Sequence, residues 1–312
     1  MAFYEESNPC DVDINDLLVV LGKHFKQVKK EDVRFFYHGT YNVFEFRNYI
    51  VRVPDVSFRN EKGIDLIQNE VMKLANLAKL LNIPIPNPQI VEIDSPLPFM
   101  AYQKLPGSPL STVFPTLNPQ QKKKLAVEIA EFLNVLHSPL TLHQVNARIF
   151  QTNLQTKEFK TFWEHCFEDI QIKIYPLLNS TQKFWIRSLF ESYLENPANF
   201  SFQHAVIHGD FDTSNILVDP DKMVLTGIVD FEECREWDPA ADLLFYEDPF
   251  FHRNILDSYR YSTSPSLSER MRFLYCQTFA PYITFGLDNQ KHSMVKYGLM
   301  RLERLQQEFP YH

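Results

Sequence analysis

The sequence predicts an α+β chain of two lobes, a small antiparallel-sheet lobe over residues 1–104 and a larger, mainly helical lobe over residues 105–312. Three observations predict it. Five short segments rich in β-branched and aromatic residues lie between Val33 and Lys104, with one long helical pattern among them. Leu105-Pro106-Gly107 then breaks the pattern. From Asn118 onward apolar residues recur mainly at helical spacing, interrupted by a hairpin between Ile216 and Val229.

The elements follow in order. Asp13 to Leu21 carries Ile14, Leu17, Leu18 and Leu21 as a helical stripe suited to packing on the sheet behind it. Val33 to Tyr37, Val43 to Phe46 and Tyr49 to Val53 read as strands. Arg47-Asn48 joins the last two as a tight hairpin, and His38-Gly39-Thr40-Tyr41-Asn42 joins the first two. Asp65 to Leu81 sets Ile67, Val71, Leu74, Ala78 and Leu81 on one helical face, with Glu70 off the centre of that stripe. Asn82 to Pro88 is a stiff, proline-rich linker, and Gln89 to Ile93 and Phe99 to Lys104 complete the five strands.

Asn118-Pro119 opens the next helix, with Asn at the cap, Pro in the first turn and Gln121 placed to return a bond. Leu125, Ile129, Phe132 and Leu136 form its buried face, and His137-Ser138-Pro139 ends it. Residues 156–195 read as two helices, the first carrying Phe159, Phe162, Trp163, Cys166, Phe167 and Ile170, the second Phe184, Leu189 and Tyr193. An aromatic stripe at helical spacing builds core. A helical tail from Arg270 onward completes the larger lobe.

Composition narrows the function. With 31 basic against 39 acidic residues the formal charge is −8, which argues against a nucleic-acid partner, since phosphate contacts require a basic surface. Cys10, Cys166, Cys234 and Cys276 stand far apart with no CxxC pair, as free thiols of a reducing compartment do. The N-terminus MAFYEESNPCDVD has no apolar core, and no run of eighteen apolar residues occurs, so the expectation is a cytoplasmic protein with no membrane span. Nothing points to an obligate protein partner.

The chemistry is concentrated between His208 and Asp242. Ile216 to Val218 and Val224 to Val229 form the hairpin, closed by a turn at Asp219 to Lys222. Asn215 just before the first strand and Asp230 just after the second are thereby brought together as oxygen ligands for hard cations, magnesium above all. Asp210 lies on the loop leading into that pair, as a third carboxylate placed to accept the proton of a hydroxyl. Metal-neutralised phosphates, an oriented nucleophile and such a carboxylate are what phosphoryl transfer asks of a protein.

His208-Gly209-Asp210 with Asn215, Gly227-Ile228-Val229-Asp230-Phe231, and Asp238-Pro239 with Asp242 together resemble the signature of the aminoglycoside phosphotransferase and choline kinase-like family. The nearest branch is that of the gentamicin-type aminoglycoside phosphotransferases. The resemblance implies a protein-kinase-like fold, ATP or GTP as phosphoryl donor, magnesium as cofactor, and a small-molecule, cationic acceptor. It places Gly39 and Thr40 over the nucleotide phosphates, Arg52 on those phosphates with Glu70 fixing its direction, and the base along Met100, Tyr102 and Lys104. It makes Asp210 the catalytic carboxylate and Asn215 and Asp230 the metal ligands. His208 acts as a scaffold, Asp242 accepts backbone N–H bonds of the catalytic loop, and helices around 156–195 form a wall of the acceptor cleft.

Three departures stand out. The connection at Gly39 holds one glycine, Arg52 stands where a lysine is commonest, and Glu232 replaces the usual glycine after Asp-Phe. Glu232 implies either an ordinary backbone there or a further carboxylate near the metal. Glu233, Glu236, Glu247 and Asp248 make the following stretch acidic, either a solvated face or a site for a polycationic acceptor. Against an aminoglycoside, the segment GLDNQKHSMVKYGL carries Lys291 and Lys296 and no tryptophan.

Overall fold

The computed structural model describes residues 9–150, 156–261 and 263–311; the first eight residues of the N-terminal stretch lie outside the described residues. Helix α1 (Ile14–Gly22) starts where Asp13 accepts the N–H of Asn15 at 2.7 Å. Strands β1 (Val33–His38), β2 (Tyr41–Phe46), β3 (Tyr49–Pro54), β4 (Pro88–Glu92) and β5 (Phe99–Gln103) form one antiparallel sheet in the order β1-β2-β3-β5-β4. Alternation sorts its side chains. Phe44, Phe46, Val51, Val53, Phe99 and Ala101 pack with Leu17, Val20 and Leu21 of α1. Tyr41, Val43, Ile50, Met100 and Tyr102 pack with Ile67 of helix α2 (Glu61–Leu77), and Arg52 shares their face.

Helix α2 starts four residues before the point the apolar stripe indicates and ends four before it, at 61 and 77 against 65 and 81. Asn60 sets the start by accepting the N–H of Lys62 at 2.9 Å, and Gly63 inside the first turn carries no apolar signal. The period of an amphipathic helix locates its face, not its ends.

The larger part begins with β6 (Ser108–Pro109), α3 (Leu110–Val113), α4 (Pro119–Leu136), α5 (Pro139–Gln144), α6 (Ala147–Phe150), α7 (Thr156–Asp169) and α8 (Ser180–Glu195). It continues through β7 (Ala205–Ile207), β8 (Ile216–Asp219), β9 (Val224–Ile228), β10 (Arg235–Trp237), α9 (Pro249–Ser258), α10 (Leu267–Cys276), α11 (Phe279–Asp288) and α12 (His292–Glu308). The expected cap of α4 is present in full: Gln121 N–H donates to Asn118 at 2.9 Å and the Gln121 side chain accepts the Asn118 N–H at 3.0 Å. Asn179 and Gln182 repeat the device at α8.

Strand β6 adds to the expected hairpin as a sheet ordered β6-β8-β9, and β10 pairs antiparallel with β7. Both are too short for a periodic signal. The chain turns from β5 into β6 at Gly107, whose φ is +107° and where a Cβ would stand 2.3 Å from Thr226 Oγ1. The aromatic stripe of α7 and α8 is core: Phe159 lies 4.3 Å from Trp237, Trp163 4.9 Å from Phe273, and Phe167 stacks on Phe190 at 4.9 Å. Phe184 alone among those rings is exposed. Among the described residues no helix is long and apolar enough to cross a membrane.

Candidate active site

Strand β7 delivers His208-Gly209-Asp210 into the cleft, and buried Asp242 holds them there. Asp242 accepts the N–H groups of His208 at 2.6 Å and Gly209 at 2.9 Å, and the ring N–H of His137 at 3.0 Å. Burial works to raise the Asp242 carboxyl, but these bonds and the two histidines bring it below its ordinary value. His208 donates from Nε2 to Val229 O at 2.9 Å, which leaves Nδ1 to accept the Asp210 N–H at 3.3 Å. One imidazole thus ties the loop to the end of β9.

Gly209 has φ +89°, and a Cβ there would stand 2.4 Å from Glu233 O. Gly209→Ala is expected to cost about 2 kcal/mol of stability, as strain at such a position does, and to slow turnover because Asp210 is the next residue. Thermal melting and steady-state rates check both.

The hairpin register pairs Ile216 with Ile228, and Val229 N–H donates to Asn215 O at 3.0 Å, which sets Asn215 and Asp230 side by side. Asn215 spends its amide nitrogen on Asp210, donating to the carbonyl at 2.9 Å and to Oδ2 at 3.2 Å. Its side-chain oxygen is therefore the group left for a ligand. Asp230 adopts φ +68°, an uncommon backbone for a non-glycine residue that Asp tolerates. One amide oxygen and one carboxylate are hard donors of the kind magnesium takes, so the pair fits that ion.

Asp210 keeps an open edge to solvent at the cleft floor. Desolvation by the cleft walls, then the charges of Asp212 and Asp230, push its carboxyl up to about 6. Asp212, which sequence reading passed over, is turned by bonds from Ser214 N–H at 2.6 Å and Ser214 Oγ at 2.5 Å. Its signal was the Asp-x-Ser turn pattern. Tyr282 of α11 lies within electrostatic reach of both carboxylates and meets Tyr297 of α12 edge-on at 4.8 Å.

Arg52 reaches the same place from the sheet. It is buried, pairs with Glu70 at 2.5 Å, and extends Nη2 to Asp230 at 3.0 Å and Glu232 at 3.4 Å. Its guanidinium lies 4.2 Å over the Tyr41 ring, which fixes its plane. Burial pushes both Glu70 and Glu232 above their ordinary range against the pull of Arg52. Arg52 Nε is buried without a hydrogen-bond partner in the protein. Lys73 of α2 donates to Glu232 O at 2.7 Å. The positive φ in this stretch falls on Asp230 and not on Glu232, so Glu232, standing where a glycine was expected, keeps an ordinary backbone and adds a carboxylate on Arg52.

The remaining expected groups are spread more widely. Met100 pairs across from Arg52 in the ladder, and Met100, Tyr102 and Lys104 alternate onto its face. Strand β5 pairs with β3 through Gln103 and with β4 through Tyr102, and Lys104 N–H goes to Asn48 O at 2.9 Å. The Lys104 ammonium meets Glu45 at 2.6 Å. The expected five-residue connection shortens to Gly39-Thr40, because β1 runs to His38 and β2 starts at Tyr41.

Glu233, Glu236, Glu247 and Asp248 are engaged separately rather than gathered into one array. Glu233 pairs with Arg235 at 2.9 Å, Glu236 with His204 at 3.2 Å, and Glu247 accepts the Tyr275 hydroxyl at 3.0 Å. Asp248 is the cap of α9, accepting Phe251 N–H at 2.8 Å, and holds Lys122 at 2.6 Å. Its Asp-Pro start was a helix signal before it was an acceptor signal.

A five-stranded antiparallel lobe that sends a buried arginine toward carboxylates on a helical lobe belongs to the kinase-like phosphotransferases as a class. Residues 32–260 match the phosphotransferase enzyme family, and the chain belongs to that family. Among curated proteins no sequence matches. Among solved structures, the GDP complex of aminoglycoside 2'-phosphotransferase-IIIa is similar with a TM-score of 0.82 and 21% identity, covering 95% of this chain and 99% of that one. The gentamicin complex of APH(2")-IIa has a TM-score of 0.68 at 20% identity, over 94% of this chain and 96% of that one. Macrolide 2'-phosphotransferase from Brachybacterium faecium has a TM-score of 0.70 at 16% identity, over 96% and 99%. At such identities the likeness is one of fold.

Proposed function

We propose that this chain is a magnesium-dependent kinase that moves the γ-phosphoryl group of ATP or GTP to a hydroxyl of an aminoglycoside. The observation that carries the reading is the placement of Asp210 against Asn215, with Arg52 meeting Asp230 from the sheet lobe. Residues 1–104 then grip the nucleotide, and residues 105–312 carry the catalytic loop and the acceptor. Similarity in fold to structures holding GDP, and in two cases kanamycin or gentamicin, supports the choice of donor and acceptor class.

Arg52, its direction set by Glu70 and Tyr41, puts a fixed positive charge beside Asp230, next to where the phosphates lie. Asn215 and Asp230 hold magnesium, which when bound neutralises charge on the terminal phosphates. Asp210 orients the acceptor hydroxyl and takes its proton on Oδ1 or Oδ2, at a pKa nearer neutrality than an ordinary carboxylate has. His208 and Asp242 keep Asp210 in place through the loop backbone.

A second reading is favoured by the separate engagement of Glu236, Glu247 and Asp248. Carboxylates already paired offer less to a polyamine, which suits an acceptor with fewer amines such as a macrolide, a choline-like amine or a sugar metabolite. A nucleotide-binding protein with little transfer activity is the third. Purified chain with magnesium and ATP or GTP is to be tested against aminoglycosides, macrolides and small amines for phosphorylated product. Product with kanamycin or gentamicin is expected; product with a macrolide alone selects the second reading. Firm nucleotide binding with no product from any acceptor selects the third.

A further inference from the structure

The Gly39-Thr40 turn is short and holds a single glycine, yet it is tied down from outside the sheet. His38, the last residue of β1, is buried at 5% exposure. Its Nδ1 stands 2.8 Å from Pro9 O, and its Nε2 stands 2.6 Å from Asp55 Oδ2 and 3.4 Å from Asp11 Oδ2. Carbonyl and carboxylate oxygens only accept, so both contacts are satisfied together when the ring carries two N–H groups, as the imidazolium. Asp55, directly after β3, also donates its backbone N–H to Thr40 O at 2.9 Å. One residue therefore fixes the turn through its backbone and His38 through its side chain.

The other side of the clasp is the segment before α1. Asp11 accepts from Asn42 Nδ2 at 2.7 Å, from Val56 N–H at 2.8 Å and from the Arg59 guanidinium, and donates its own N–H to Asn42 Oδ1 at 3.2 Å. Burial acts to raise the Asp55 carboxyl, but the Ser57 hydroxyl and N–H, with His38, hold it below the ordinary range. Asp11, His38 and Asp55 have the mutual spacing of a cation site. Their donors are already spent, however: Arg59 and Asn42 occupy one Asp11 oxygen, Val56 N–H the other, Ser57 one Asp55 oxygen, and His38 the other.

We propose that His38 is a positioning residue for the nucleotide, its imidazolium clasped between Pro9–Asp11 and Asp55 so that the Gly39-Thr40 turn is preset to receive the phosphates. The inference rests on reading that turn as the phosphate cover. A glycine-rich loop orders itself when nucleotide binds; a turn fixed in advance avoids that cost and gains affinity.

The test measures the Kd of ATP and GTP by calorimetry, together with kcat, on the full chain. His38→Ala is expected to weaken nucleotide binding about tenfold, the worth of one charge-assisted hydrogen bond, with kcat little changed. His38→Gln, which still offers a donor to Asp55, is expected to recover part of the loss. Asp11→Asn is expected to weaken binding too, and the double variant to be no worse than the weaker single. Should His38→Ala fail to fold, His38→Gln and Asp11→Asn carry the same readout. Unchanged Kd, strictly additive losses, or a fall in kcat alone would overturn the clasp. Thr40→Glu separates the two layers. If it leaves nucleotide Kd unchanged, the turn does not meet phosphates and the clasp loses its role with it. If it weakens binding while His38 variants do not, the turn reading stands and the clasp falls. Zinc that raises the Tm of the parent but not of His38→Ala also overturns the clasp, in favour of a metal site.

Discussion

Asp210→Asn is expected to lower kcat by roughly 10²–10⁴-fold, the range that a positioned general base contributes, while nucleotide affinity stays near that of the parent. The substitution keeps an oxygen for the Asn215 amide, whose bonds to Asp210 span 2.9 and 3.2 Å, so the loop holds its shape and only the basic group is lost. The pH profile gives the sharper readout. With the Asp210 carboxyl raised to about 6, kcat/KM of the parent is expected to fall as pH drops through that value, and the fall to vanish in the variant.

Stability should move the other way. A carboxyl whose folded pKa is raised contributes stability that is fully present below its unfolded value, about 3.9, and is lost as pH rises through the folded value. At pH 7 the parent has lost it. The variant should therefore melt higher than the parent at pH 7 and level with it near pH 4, the usual exchange of stability for activity at a working site. Equal turnover, or a Tm difference that does not change with pH, would sink the assignment.

What the sequence revealed of this site follows from the range of the forces involved. Asn215 and Asp230 were legible because a hairpin is local: two apolar runs and an Asp-Pro-Asp turn fix which residues stand opposite. The five strands and the Asn118 capping box were legible for the same reason. Asp248 shows the opposite case. Its bond to Lys122 spans 126 residues, a separation no local pattern reports. The clasp at His38 depends on Pro9 and Asp11, 29 residues away or nearly so. Arg270 is the extreme example: a charge in an aromatic helical tail, for which the sequence offers no local signal of burial, is wholly buried.

Arg270→Met is expected to destabilise the fold by about 3–5 kcal/mol, the cost of leaving a buried charge without its partner. Arg270 donates from Nε to Asp238 at 2.8 Å, binds Pro265 O, and lies 4.9 Å from the Phe202 ring. Asp238 in turn accepts Ala240 N–H at 2.9 Å and opens the short turn that ends at Asp242. A tail helix thus reaches the His208–Asp210 loop through one ion pair, since Asp242 holds His208 and Gly209. Burial already raises the Asp238 carboxyl despite Arg270, and its removal raises it further. By the sign argued for Asp210, a raised carboxyl costs stability at high pH and none once protonated. The Tm deficit of Arg270→Met should accordingly be large at pH 7.5 and shrink towards pH 5, and Asp238→Asn in the same chain should recover part of it. A deficit of the same size at both pH values would mean that lost packing on Phe202, not the uncompensated carboxylate, is what the arginine prevents. Because the loop hangs from Asp242, the surviving fraction of Arg270→Met should also turn over more slowly than the parent, although Arg270 touches none of the residues assigned to the reaction.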